Sequence, residues 1–186
     1  YEDRPTITYS PLMGEKFARS LMMPIPIPAV LLLLQSGYPA DSIVRICVQS
    51  INGLENLRSS AIAAQEADPE FCELSNLLRS LQKMDGMAIR SKLSDKKRAM
   101  VMVFRPPNNE VAAGNLKKVM ELLDLDAEVR EFRVVHGGFA LNNKEIAILS
   151  RSLFQVMVEY AAYIDVPESD ISEGRVYAAK RASAET

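Results

Sequence analysis

Residues 68–86 read DPEFCELSNLLRSLQKMDG. Phe71, Leu74, Leu78, Leu81 and Met84 recur every three or four positions, the spacing of one apolar helix face. Asp68 stands where an N-cap belongs, Pro69 at the first helical position and Gly86 just past the end. The spacing predicts one helix from Asp68 to Met84 that buries Phe71, Leu74, Leu78 and Leu81. Directly downstream the apolar period shortens. Met87 to Arg90 and Ala99 to Arg105 read as two strands joined by a charged connection that holds Lys96-Lys97-Arg98. A long amphipathic helix running into strands without a βαβ rhythm places the chain in the α+β class.

Towards the C-terminus, Pro106-Pro107-Asn108-Asn109 reads as a turn. Glu110 to Leu123 follows as a helix, with Val111, Leu116, Val119, Met120 and Leu123 as its apolar set. Glu128 to Val135 alternates as a strand. His136-Gly137-Gly138 and Asn142-Asn143 bracket a turn region. Glu145 to Leu149 is a further strand, and Arg151 to Ile164 a last helix that Pro167 ends. Residues after Lys180 are small or polar and read as a frayed tail.

Towards the N-terminus, Ser59 to Ala67 reads as an exposed loop. Pro39 opens a helix that runs to about Asn52 and stops at Gly53. Pro28 to Ser36 is apolar on nearly every side, as a buried helix is. Before it, Pro24-Ile25-Pro26-Ile27-Pro28 reads as a stiff, buried strap with Pro28 opening the helix. Gly14 to Met22 reads as a short helix with Phe17, Leu21 and Met22 towards the core. Thr6 to Tyr9 is β-prone and reads as an edge strand. The expected architecture is a helix-rich N-terminal half packed with a small, mainly antiparallel sheet and two further helices. It forms one domain over 1–186, with an ordered core over 6–178.

The chain has 186 residues, with 22 basic and 24 acidic side chains and a formal net charge of −2. That length supports a substantial core, and the balance excludes a general attraction to nucleic acid. Lys96-Lys97-Arg98 reads as a solvated hairpin end. The longest strongly apolar run, Ile25 to Leu34, is too short to span a bilayer and holds two prolines. Cys47 and Cys72 match neither a CxxC pair nor a zinc set, and read as small core residues or as a disulfide if their helices pack side by side.

Motifs that carry chemistry are missing from the sequence: no Gly-x-Gly-x-x-Gly, Walker loop, His-Glu-x-x-His or Gly-x-Ser-x-Gly. The single histidine, His136, precedes two glycines in a pattern similar to an esterase oxyanion loop, but reads better as a turn residue. Ser94 and Lys97 share a Ser-x-x-Lys spacing without its companion motifs. Asp165, Glu168, Asp170 and Glu173 lack calcium-loop spacing and read as a solvated acidic loop. No catalytic residue, metal ligand or cofactor is assigned.

One polar constellation stands out. Arg45, Gln49, Asn52 and Asn56 are spaced by four, three and four on the helix opened by Pro39, among Ile43, Val44, Ile46, Cys47, Val48 and Ile51. The stripe either lines a ligand groove, faces water or satisfies backbone groups inside the fold. The structural role is preferred, because Asn52-Gly53 is common helix-stop chemistry. Arg151, flanked by Ser150 and Ser152, joins these four as a binding candidate, with tying loops together as its other reading.

Seven stretches in order carry a resemblance: Tyr9 to Leu12, Gly14 to Phe17, Pro24 to Pro26, Gln35 to Asp41, Val48 to Asn56, Ser150 to Leu153 and Asp165 to Pro167. Together they resemble a family of uncharacterised bacterial proteins labelled lipoproteins of the Gram-negative envelope. The resemblance spans most of the chain, most specifically its first sixty residues. It implies export, lipid attachment through a cysteine upstream of Tyr1, and residence in the periplasm or at the outer membrane; a cytoplasmic location is the alternative. It implies no activity. The expected function is therefore a non-catalytic, envelope-associated component that binds another protein or organises a complex. Any membrane contact would run through the anchor alone, with no nucleic acid involved. The alternative is an enzyme of unrecognised type, such as a hydrolase, with its site near the polar stripe or His136.

Overall fold

A computed structural model describes residues 14–56, 58–60, 63–65, 67–94, 97–161 and 167–175. Its elements are α1 (Glu15–Met22), α2 (Ile27–Gln35), α3 (Ala40–Cys47), β1 (Val48–Ile51), β2 (Leu54–Glu55), β3 (Arg58–Ser60), β4 (Ala63–Gln65), α4 (Pro69–Lys83), β5 (Met87–Ser94), β6 (Lys97–Phe104), α5 (Glu110–Leu122), β7 (Glu131–His136), β8 (Glu145–Ser150), α6 (Leu153–Ala161) and α7 (Glu168–Ser172). The fold is α+β with a helix-rich N-terminal half. Six strands form one sheet in the order β2-β1-β8-β7-β6-β5, and β3-β4 form a separate hairpin. All pairs in the large sheet are antiparallel except β7 with β8. The Thr6–Tyr9 strand and the tail after Lys180 fall outside the described residues.

The 68–86 stretch folds as its spacing predicts. Helix α4 buries Phe71, Leu74, Leu78 and Leu81. Its end is a Schellman closure: Asp85, at φ 53°, takes the left-handed position, and the Gly86 amide donates to the Leu81 carbonyl at 2.8 Å. Asp68 occupies the N-cap position without capping the helix. Its carboxylate accepts from the Glu55 amide at 2.9 Å, and its own amide donates to the Glu55 carbonyl at 3.1 Å. The residue expected as a cap is instead a clamp between α4 and β2.

One core unites the helices with one face of the sheet. Alternation sends Ile89, Met102, Phe104, Phe132, Val134, Ile146 and Ile148 towards α2, α3, α4 and α5. Phe104 and Phe132 meet edge to face at 5.9 Å, a favoured ring geometry. The opposite face carries a charged ribbon in which Glu131 meets Lys92 and Arg90, and Arg133 meets Glu145.

The helix expected from Pro39 to Asn52 is the main correction. It ends at Cys47, and Val48–Ile51 is a strand paired with β8. Asn52 and Gly53 have φ of 46° and 89°. Two positive values define a type I′ turn, so Asn-Gly closes a hairpin here and does not stop a helix. The apolar run over Ile43–Ile51 is dense and β-branched, so its period alone does not separate helix from buried strand.

Smaller corrections share one cause: packing partners, not pattern, set the burial. Helix α1 forms but buries nothing; Phe17 and Met22 are exposed and Leu21 is half-buried, because α1 packs against α6 and not on the core. Helix α2 begins at Ile27, one residue before Pro28, and Leu32 faces water. In α5 the exposed Val111 gives its core place to Ala112, whose amide is capped by Asn109 Oδ1 at 2.7 Å. The Ser59–Ala67 stretch contains most of the β3-β4 hairpin. Strands β5 and β6 extend four residues further into their connection than expected at β5 and two at β6. The 168–172 stretch is the short helix α7, not a loop.

Parallel neighbours β7 and β8 are joined by residues 137–144 alone, without the usual crossover helix. The strands overlap by only four pairs, Arg133–Glu145 to His136–Ile148. The return path along the strands is therefore about 10 Å at ~3.3 Å per residue, within reach of eight residues. The connection crosses the face away from the helices: Gly138 lies over Ser50, and the Phe139 ring lies on Gly53.

Candidate functional site

The chain reversal at Asn52-Gly53 scatters the expected polar stripe. Arg45 stays on α3, Gln49 lies on β1, Asn52 is in the turn and Asn56 follows β2. Arg45 bridges to α4, its Nε donating to Ser75 Oγ and its Nη2 to Asn76 Oδ1, both at 3.1 Å. Asn52 replaces a missing ladder bond. Its amide donates to the Ala147 carbonyl at 3.0 Å, and its Oδ1 accepts from the Ala147 amide at 2.7 Å. Its Nδ2 donates to the Leu123 carbonyl at 2.8 Å, satisfying the C-terminus of α5. Asn56, 3% exposed, donates from Nδ2 to the carbonyls of Arg45 and Val48, closing the end of α3. These are the backbone-satisfying roles of buried amides.

Gln49 and Asn56 of the stripe meet at a cleft. A cleft of about 160 Å³ lies between the β1-β2 hairpin and the 137–144 connection, lined also by Glu55, Gly138, Phe139 and Leu149. Ligand pockets usually enclose ~300–1,000 Å³, so this cleft holds a few waters or one small group. Gly53 is also part of the lining, and its position suits glycine: φ is positive, and a Cβ would meet the Phe139 Cε1 atom at 2.6 Å.

Arg151 is 4% exposed and pairs with Glu159. It stitches three segments. Its amide donates to the Cys47 carbonyl, and its carbonyl accepts from the Ile25 amide, both at 2.9 Å. Burial pushes the Cys47 thiol up, partly opposed by the Arg151 charge. Cys47 and Cys72 are both free. His136 ends β7 exposed to water; among the described residues no hydrogen bond links it to a serine or cysteine. Asp165 lies outside the described residues. Asp170 and Glu173 are paired with Arg175 at 2.7 and 2.8 Å, and no metal-holding group of side chains occurs among the described residues. Ser94 and Lys97 are the last backbone pair in the β5-β6 register.

Two arrangements were not read from the sequence. Gln82 ties α2 to α3, donating to the Leu34 and Tyr38 carbonyls and accepting from the Ala40 amide, at 2.8–3.0 Å. The larger one is helix α6. Ser152-x-x-Gln155 forms a capping box, with the Ser152 amide on Gln155 Oε1 at 2.7 Å and the Gln155 amide on Ser152 Oγ at 3.2 Å. This fixes where the helix starts, and Val156 and Glu159 turn inward and are half-buried. Leu153, Phe154, Met157, Val158 and Tyr160 are left 46–55% exposed. Phe17, Met22 and Met23 of the adjoining α1 segment add three more exposed apolar side chains. The capping signal Ser-x-x-Gln was present in the sequence; the outward direction of the apolar side was not.

No family model, curated protein or solved structure matches the chain.

Proposed function

We propose that this chain is a non-catalytic component of the Gram-negative envelope that docks on another protein through the α1–α6 surface. The observation that carries the reading is the inverted helix α6, whose polar Glu159 is drawn inward while five large apolar side chains face out. Contiguous apolar surface of several hundred Å² marks an interaction site more often than a plain monomer surface. Four of the five polar residues expected to bind a ligand, Arg45, Asn52, Asn56 and Arg151, have backbone or side-chain partners within the fold instead. The envelope location, with a lipid anchor upstream of Tyr1, rests on the sequence resemblance. No helix among the described residues is long and apolar enough to cross a membrane.

The test is photo-crosslinking in intact cells expressing the full gene, with the crosslinking residue at position 154, followed by fractionation. Crosslinked protein in the envelope fraction is the expected result. Recovery of the product uncrosslinked and in the cytosol would remove both halves of the reading.

A further inference from the structure

We infer that the cleft between the β1-β2 hairpin and the 137–144 connection binds one small carboxamide group carried on a short apolar stem. The site is separate from the α1–α6 surface and does not rest on the reading above. A backbone irregularity builds it. Between Val48 and Ser50 the register moves two residues along β1 but only one along β8, from Ser150 to Leu149, so Gln49 is a bulge. Strict alternation would put Val48 and Ser50 on one face of the sheet. The bulge parts them: Val48 joins the core and Ser50 lines the cleft.

Ser50 is 5% exposed, yet its hydroxyl has no hydrogen-bond partner among the described residues. Buried polar groups normally find a partner, and leaving one unmatched is costly. Gly138 keeps the space over this hydroxyl open, since a side chain there would begin 4.0 Å from Ser50 Oγ. At the bulge, the Gln49 side-chain amide likewise bonds to no described residue.

These two open groups select the ligand. A serine hydroxyl and a glutamine amide each donate and accept. A carboxamide answers both functions, whereas a carboxylate only accepts and an amidinium only donates. Glu55, the acidic residue of the lining, disfavours a carboxylate further. It is half-buried and already partnered within the fold, so it does not reserve the cleft for a cation. Phe139 and Leu149 give the stem an apolar wall.

The experiment is an amide NMR titration of the Tyr1–Thr186 chain with three isosteres: acetamide, acetate and acetamidinium. Acetamide should shift the Ser50, Gly138 and Gln49 side-chain signals saturably, with the millimolar affinity suited to so small a probe. Acetate and acetamidinium should bind roughly tenfold more weakly, as should acetamide to Ser50→Ala and Gln49→Met. Ser50→Ala should keep the wild-type melting midpoint, because its hydroxyl has no partner to lose. N-acetylglucosamine and the peptide Gly-Gln-Gly carry the same group on a sugar and on a side chain, and the tighter binder names the source. The inference is overturned if acetamide gives no saturable shift, if either charged isostere binds as tightly, or if both variants bind as wild type does. A lowered midpoint for Ser50→Ala also overturns it, by showing that the hydroxyl serves the fold.

Discussion

Helix α4 turns Phe71, Leu74, Leu78 and Leu81 inward, each at 3% exposure or less, whereas α6 leaves Leu153, Phe154, Met157, Val158 and Tyr160 at 46% or more. The two helices are comparably furnished with large apolar groups. They differ in what lies beneath them. Under α4 are the sheet and α3 and α5. Under α6 is the buried Arg151, which draws Glu159 inward and so rotates the apolar side out. The helix adopts the orientation that pairs the buried cation, against the one that apolar residues alone would favour. An unpaired buried charge costs several kcal/mol, the same order as half-exposing five apolar side chains at about 1 kcal/mol each.

The comparison breaks most directly at Leu78 and Val158. Leu78→Ala is expected to cost about 2–5 kcal/mol by the cavity it leaves. Val158→Ala should stay within ~0.5 kcal/mol, as exposed substitutions do. Urea denaturation at low protein concentration measures both, and equal losses would erase the distinction between the helices.

Glu159→Gln sharpens the account of why α6 is inverted. It leaves Arg151, with a side chain 5% exposed, without its counter-charge. A loss of about 2–3 kcal/mol is expected, below the ~3–5 of a fully buried pair, because the Glu159 side chain is 22% exposed. If denaturation midpoints of Glu159→Gln and wild type coincide, the pair does not set the helix's rotation.

Asn52→Ala tests whether the former stripe holds the fold together. It removes the Leu123 and Ala147 bonds and places alanine at φ 46°. A loss of about 1–3 kcal/mol is expected from the unpaired backbone groups. An unchanged melting curve would make Asn52 available for a binding role after all.

The smallest effect is electrostatic. The hydrogen bond from Lys92 holds the Glu131 carboxyl below its usual range, with the Lys92 and Arg90 charges adding to it against some desolvation. A depressed carboxylate contributes stability above the ordinary glutamate pKa, near ~4.3. That contribution is lost as pH falls through the lower folded value. Lys92→Met should therefore flatten the acid limb of the stability–pH curve in that window, with little change near neutrality.

Local signals were legible wherever they were redundant. In 68–86, apolar spacing, proline and the terminal glycine agreed, and the helix lies where they put it. In 39–56 they conflicted. Ile43, Val44, Ile46, Val48 and Ile51 satisfy a buried helix or a buried strand, and Asn-Gly serves a helix end or a hairpin. The conflict went to the strand because β8 offers Val48–Ile51 a ladder. With that, four residues spaced for one helix face were distributed over a helix, a strand, a turn and a hairpin end. The preference for a structural role still suits Asn52 and Asn56, since buried amides beside chain reversals have carbonyls to satisfy.

Sequence by itself determined the class of fold, the placement of α4 and the residues that fill its core side, because those depend on short-range periodicity and on the local chemistry of Asp, Pro and Gly. It also determined that α6 would be helical and apolar. Only the tertiary structure decided which way that apolar side would face. Direction depends on where Arg151 is held, and the segments that hold it are remote in sequence. Here Arg151 is held by the Cys47 carbonyl and the Ile25 amide, and it recruits Glu159 because a charge buried among apolar groups must find its counter-charge.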